Sequence, residues 1–262
     1  MGTLPLLFAV LFFTVPTLMP DPSHPPIGEA DGKAEAVESM FDAVAPRYDL
    51  LNRVLSAGID RYWRSRAVRT LRAEQPRRVL DVATGTADLA LKVQRTLHPR
   101  ETIGIDLSAK MLDRGREKIE QAGLAARIAL QRADAAALPF DDGAFDAAFV
   151  AFGVRNFEDL DAGLDDIRRV LRPGGALVVL EFSTPRTTPI KQLYAWYSRH
   201  VLPRIGGLLS PDQGAYEYLP SSVAAFPDGV DFLRRMEGTG FVDLTWTPLT
   251  FGIASLYTGR VR

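Results

Sequence analysis

Apolar positions along the chain follow two alternating patterns. Short, mostly apolar runs at Val79–Ala83, Ile103–Ile105, Arg127–Leu130, Phe145–Phe152 and Ala176–Phe182 read as strands, the first with the pattern of a strand buried on both faces. Between them, apolar residues recur at helical spacing. Helices are expected over Glu35–Val44 (ended by Pro46), Arg61–Leu71, the stretch opening at Ala87, Ala109–Gln121, Leu160–Leu171, Pro189–Val201 and Val230–Glu237. Ser108 fits an N-cap and Gly123 a helix stop. Arg172-Pro173-Gly174-Gly175 is a turn that cannot continue a helix. Phe241–Thr247 and Ile253–Thr258 read as a closing strand pair. Five strands alternating with helices, then a hairpin, predict an α/β fold with a doubly wound, mostly parallel sheet of seven strands and an antiparallel C-terminal edge.

Two stretches stand outside this rhythm. Leu4–Leu18 is apolar apart from Thr14 and Thr17, but its 15 residues fall short of the ~20 that span a bilayer. It has no Lys or Arg before it and no small-residue cleavage site, as an export signal would. Its readings are a dispensable tail, a membrane-touching anchor or an export signal. Asp21–Gly32 is rich in Pro and Gly and reads as linker, so residues 1–33 are taken as an extension and 34–262 as the domain. The second stretch is Tyr48–Trp63, where Leu50, Leu51, Val54 and Leu55 form an apolar stripe and Gly58 a C-cap. It reads as a lid helix, or as a helix that only packs.

Composition narrows the function classes. Hydrophobic residues make up 47% and charged residues 24%, as in a chain that buries a full core. A net charge of −1 offers no basic field for nucleic acid. With no Cys there is no disulfide, thiolate nucleophile or Cys-ligated metal, and an intracellular enzyme fits. The three His (His24, His98, His200) have no metal-ligand spacing.

The chemistry concentrates in Arg78–Asp106, which reads as strand, Gly loop, helix, then a strand ending in an acid. Asp106 follows Gly85 by 21 positions, near the roughly 20 expected of an acid that bonds a ribose hydroxyl. The loop has one Gly where a dinucleotide site wants Gly-x-Gly-x-x-Gly, which disfavours a NAD dehydrogenase. A ligand with adenine, ribose and a small carboxylate fits better, S-adenosylmethionine (SAM) being such a ligand. A plain βαβ unit without ligand is the other reading.

Several stretches then carry a resemblance. They are Tyr48-Asp49 with Asn52, Ser56-x-Gly58 and Trp63; Asp81-x-Ala83-x-Gly85-Thr86; Ala137–Phe140; Phe152-Gly153-Val154-Arg155-Asn156; Arg169–Gly175; Leu180–Ser183; and His200-Val201-Leu202-Pro203. The sheet motifs resemble class I SAM-dependent methyltransferases, with a Rossmann-like fold. The first stretch, FGVRN and HVLP resemble the ubiquinone/menaquinone-biosynthesis C-methyltransferases, from Val37 to Arg262. Family loops often read Gly-Thr-Gly-Asp where this chain has Gly85-Thr86-Ala87-Asp88, which is tolerable if Ala87 takes a helical φ. Ala151 stands where Ser is frequent.

The resemblance implies SAM as methyl donor. Gly85 would let the backbone approach its methionine part, Thr86 would hold its carboxylate, and Asp106 its ribose. Asp134 and the Ala135 N–H would frame its adenine, and Asp81 would sit beneath the sulfonium. The implied acceptor is a prenylated quinol drawn from the membrane, demethylmenaquinol first and a ubiquinone-pathway quinol or lipid phenol second. A non-catalytic scaffold of a quinone-making complex is a third reading. A poorly nucleophilic ring carbon gains electron density when the neighbouring hydroxyl ionises, so Arg155 and Asn156 are expected to hold that oxygen. Tyr48, Asp49 and His200 are candidates for moving its proton. Arg155 as the partner of a surface carboxylate, and His200 as a packing residue, are the plainer alternatives. Tyr194, Trp196 and Tyr197 would line an entrance for the isoprenoid tail. The implied location is the cytoplasm, with peripheral contact at the inner face of the membrane; the oligomeric state is left open.

Overall fold

The computed structural model describes residues 33–197, 200 and 214–262. The apolar N-terminal stretch, its linker and Val201-Leu202-Pro203 lie outside the described residues. The elements in chain order are α1 (Lys33–Val44), α2 (Tyr48–Leu55), α3 (Asp60–Arg69), β1 (Arg78–Val82), α4 (Asp88–Leu97), β2 (Glu101–Asp106), α5 (Ala109–Gln121) and β3 (Ile128–Arg132). Then come β4 (Phe145–Ala151), α6 (Leu160–Val170), β5 (Leu171–Phe182), α7 (Ile190–Trp196), α8 (Gly214–Ala225), α9 (Val230–Gly238), β6 (Phe241–Leu249) and β7 (Ala254–Val261).

The seven strands form one sheet in the order β3-β2-β1-β4-β5-β7-β6. The first five run parallel, and β7 is antiparallel to both neighbours. The parallel strands β1, β2, β4 and β5 are buried on both faces, as their near-continuous apolar runs require, whereas edge strand β3 is exposed at Ala129, Gln131 and Arg132. Edge strand β6, buried only at its ends Phe241 and Leu249, alternates half-buried and exposed positions between them, the signature of a sheet wet on one side. On one face, Leu80, Val82, Ile105 and Val150 pack with Leu164 and Ile167 of α6 and Phe232 and Met236 of α9. On the other, Val79, Phe149 and Val178 pack with Trp63, Val68, Leu89 and Val93 of α3 and α4. The order in which successive strands are added reverses between β1 and β4, so the loops leaving those strands part and open a crevice at their carboxyl ends.

Three expectations change. Arg172–Gly175 is not a free turn but a loop-out at the head of β5: the ladder pairs Phe145 with Leu171 and then Ala147 with Ala176. Ala87 does not take a helical φ. It sits at φ +63°, ψ 21°, capping α4 in the left-handed region, because the chain must swing out of Gly85-Thr86 before the helix can start. That conformation costs an L-residue roughly 1–2 kcal/mol. Its fully buried methyl, worth roughly 0.8 kcal/mol, offsets part of this cost. The third is the segment expected as helix over Pro189–Val201: α7 spans Ile190–Trp196, with a π-type turn at Tyr197 and His200, and residues 198, 199 and 201 lie outside the described ones.

Candidate active site

Two cavities open at the carboxyl ends of the strands and share a wall. The smaller, about 80 Å³, is lined by the loop after β1 (Gly85), the ends of β2 (Asp106) and β3 (Asp134, Ala135), Gly153 and Asn156 after β4, and Glu38 and Phe41 of α1. The larger, about 450 Å³, is mostly apolar and is bounded by α2, α3, α7 and α8, with Arg155 among its polar lining. Phe41, Tyr48 and Phe152 line both.

In the smaller cleft the polar groups are held by backbone. Asp106 Oδ2 accepts from Gly85 N at 2.8 Å and Oδ1 from Ser108 N at 3.0 Å. Burial raises its pKa against these hydrogen bonds, and each oxygen keeps a lone pair for a further donor. Gly85, at φ +55°, lets the loop curl over the carboxylate, and a Cβ there would come within 3.8 Å of the Tyr48 ring. Asp134 Oδ1 accepts from Ala136 N at 2.9 Å, which fixes the turn that presents Ala135 to the cleft. Helix α1 closes the opposite side. Its Asp42 accepts from Ser108 Oγ at 2.5 Å, and Glu38 pairs with Arg132 at 2.7 Å. An acid on a strand end, a Gly loop and a turn at the next strand fit the ribose, methionine and adenine parts of SAM.

The polar floor of the larger cavity is a buried ion pair. Arg155 Nη1 donates to Glu181 Oε1 at 2.8 Å and to Phe152 O at 2.5 Å, and its Nε reaches Ser222 Oγ at 3.3 Å. The side chains are 6% and 0% exposed, so the partner of Arg155 is a buried carboxylate, not a surface one. Nη2 has no hydrogen bond among the described residues. Asp60, also on this wall, is held by Arg64 and Ser56. Burial raises the pKa of Tyr48, opposed by its hydrogen bond with Asn52 and by the charges of Arg64 and Arg155, so its hydroxyl stays protonated and donates at neutral pH.

The sequence-predicted residues are only partly brought together. Gly85, Asp106, Asp134, Ala135 and Asn156 line the small cleft, Arg155 the large cavity and Tyr48 both. Asn156 Oδ1 accepts from the Tyr218 hydroxyl at 3.0 Å. Thr86 and Asp49 line neither cavity: the Thr86 hydroxyl donates to Asp49 Oδ1 at 2.5 Å behind the loop. Asp81 lines neither as well. Strand alternation turns it, with Val79, toward α3 and α4, where Oδ2 accepts from Thr84 Oγ1 at 2.6 Å. His200 is exposed and stands beside Trp196, ring centroids 6.2 Å apart, outside the lining of either cavity.

Sequence reading assigned no role to Glu181, yet a lone acid within the run Ala176–Phe182 signals a buried charge in need of a partner. It also gave none to Glu38 and Phe41, which only the docking of α1 reveals. Among the described residues no group of His, Asp and Glu could hold a metal ion, and no helix is long and apolar enough to cross a membrane.

The fold and the paired cavities define a class I SAM-dependent methyltransferase. The chain belongs to the ubiE/COQ5 methyltransferase family, whose model matches residues 29–261. It is 48% identical over 229 residues to the demethylmenaquinone methyltransferase of Bacteroides fragilis, covering 87% of this chain and 94% of that one. It is 47% identical over 240 residues to that of Deinococcus radiodurans, covering 92% and 98%. The Geobacter sulfurreducens protein named ubiquinone/menaquinone biosynthesis C-methyltransferase UbiE is 48% identical over 87% of this chain and 89% of its own length. Among solved structures, the [4+2]-cyclase SpnF superposes with a TM-score of 0.61 at 20% identity, covering 87% of this chain and 96% of that one. A Thermotoga maritima SAM-dependent methyltransferase gives 0.60 at 17%, covering 86% and 99%. These distant likenesses speak for the fold.

The Asp106 geometry yields a first expected outcome. Asp106→Ala should weaken SAM binding by about 1.5–3 kcal/mol, the worth of hydrogen bonds to a charged acceptor. Calorimetric titration reads this directly, and an unchanged affinity would remove the ribose role.

Proposed function

We propose that the enzyme methylates the ring of a prenylated quinol, converting demethylmenaquinol to menaquinol. The observation that carries this is the junction of the two cavities. A polar cleft suited to SAM meets, at Phe41, Tyr48 and Phe152, a mostly apolar cavity lined by two buried cations, Arg155 paired with Glu181 and Arg64 paired with Asp60. The names of the Bacteroides and Deinococcus relatives support the menaquinone-type ring.

Bound SAM supplies a methyl group on a cationic sulfonium, a leaving group that needs no protonation. The protein's part is to hold the two reactants together and favour the ionised acceptor. Arg155, oriented by Glu181, offers Nη2 to the quinolate oxygen, and the protonated Tyr48 hydroxyl is a second donor at the shared wall. As the ring carbon takes the methyl group, the S–CH3 bond breaks, the sulfur becomes neutral, and the carbon sheds its proton to restore aromaticity. Asp49 and His200, placed outside both cavities, are not assigned the proton; water at the cavity mouth receives it.

The rim of the larger cavity supports an acceptor drawn from a bilayer. Val54, Ile59, Leu193 and Trp196 line the cavity and are also exposed. Phe251, 73% exposed, adjoins the lining residue Thr250. Exposed apolar residues at the cavity rim fit peripheral contact with lipid. The test is methyl incorporation from labelled SAM into demethylmenaquinone in lipid vesicles, with and without a reductant. Methylation of the quinol and essentially none of the quinone is expected, because the quinone ring carbon is electron-poor. Equal rates on both forms would overturn the quinolate reading.

A further inference from the structure

Three distant parts of the chain converge on one ammonium. Lys118, in the last turn of α5, reaches Asp49 Oδ2 of α2 at 2.6 Å, Asp88 Oδ1 at the start of α4 at 2.6 Å, and Thr86 Oγ1 of the Gly loop at 3.0 Å. Its three donors thus meet three acceptors. The Thr86 hydroxyl in turn donates a hydrogen bond to Asp49 Oδ1, and Arg53, one turn beyond Asp49, faces Asp88 Oδ2 at 3.8 Å. Burial pushes the Asp88 carboxyl up, but the charge and hydrogen bond of Lys118, with help from Arg64 and Arg53, bring it below the usual carboxylate range. None of Lys118, Asp49, Thr86 and Asp88 lines a cavity. Their neighbours in sequence do: Tyr48 precedes Asp49 and lines both cavities, and Gly85 precedes Thr86 and lines the small cleft.

We propose that Lys118 is a positioning residue for methyl transfer: it latches α2 to the Gly85-Thr86 loop and so sets where the Tyr48 wall stands between donor and acceptor. The proposal rests on reading the two cavities as donor and acceptor sites. With side chains 25–36% exposed, these ion pairs are partly screened by solvent and add little to stability, so the latch contributes chiefly to geometry. Geometry is where a displacement of about 1 Å can cost roughly 10²-fold in rate.

The test compares Lys118→Met, Lys118→Arg, Asp49→Asn and the Lys118→Met/Asp49→Asn double variant in the full chain. Lys118→Met should lower kcat at least ~10-fold, move the SAM Kd by less than ~3-fold and leave the melting temperature within a few degrees. Lys118→Arg should recover most of the rate. Asp49→Asn should reproduce the loss, and the double variant should be no slower than the slower single one, since both break one latch. A second readout needs no turnover: with S-adenosylhomocysteine bound, trypsin should cut the α1–α2 segment several-fold faster in Lys118→Met than in wild type. Wild-type kcat and wild-type cutting in Lys118→Met, or losses that multiply in the double variant, would overturn the proposal. Were wild type to bind SAM but leave demethylmenaquinol unmethylated, the acceptor reading would fail instead, and the cutting rates would still judge the latch.

Discussion

Replacing Arg155 with Ala is expected to damage the protein twice, once in folding and once in chemistry, and the two losses separate. Glu181 is fully buried and pairs with Arg155 at 2.8 Å. Removing one partner of a buried pair leaves an uncompensated charge, at a cost of about 3–5 kcal/mol. For a domain of this size that lowers the melting temperature by on the order of 10 °C. Arg155→Ala/Glu181→Gln removes the stranded charge as well, and should regain most of the stability. It should not regain turnover. A donor aimed at developing negative charge in a water-poor pocket is worth about 2.7–4 kcal/mol, or ~10²–10³ in kcat, and both variants lack it. Calorimetric melting and methyl incorporation on the two variants decide the matter. Recovery of turnover in the double variant would reduce Arg155 to a counter-ion of Glu181. A single variant as stable as wild type would show that Glu181 does not depend on it.

That separation was not legible in the sequence, and the reason is general to this chain. What depends on local pattern could be read: the strand runs, the Gly loop, the acid closing β2 and the hairpin at the end. Each is set by period, turn chemistry or burial on two faces. What depends on contacts between distant segments could not. Arg155, in the turn after β4, and Glu181, near the end of β5, lie 26 positions apart, and Asp49 and Lys118 lie 69 apart on helices that meet only in the fold. Thr86 sits in the recognised loop, yet its hydroxyl turns away from the cleft to Asp49. Helix α8 escaped notice because Pro220 interrupts its pattern, although its Tyr218 and Ser222 bond Asn156 and Arg155. Ala87 shows the converse. A local rule suggested a helical φ, and the geometry of the loop outweighed it.

Asp81 gives the other large effect, through pH. It is 1% exposed, its Oδ1 has no hydrogen-bond partner, and burial pushes its carboxyl up to about 7 despite the Thr84 hydroxyl and the charge of Arg64. The unfolded chain releases this proton near the ordinary value of 3.8. Between these two values the native state binds more protons than the unfolded one, so this group makes stability fall as pH rises from about 4 to about 7. Fully developed above the folded pKa, a shift of about three units amounts to roughly 4 kcal/mol. Asp81→Asn removes the charge but adds amide donors, which cost about 1–3 kcal/mol if unpaired. The variant should therefore be less stable than wild type at pH 4.5 and as stable or more so at pH 8. Asp88 and Asp146, whose pKa values are lowered, pull the other way as pH falls, but they are common to both proteins and cancel in the difference. Urea unfolding at the two pH values measures that difference, and SAM affinity should be unchanged because Asp81 lines neither cavity. A stability difference of the same sign and size at both pH values would mean that Asp81 is ionised throughout, and that a cation compensates it where the structure shows a bare oxygen.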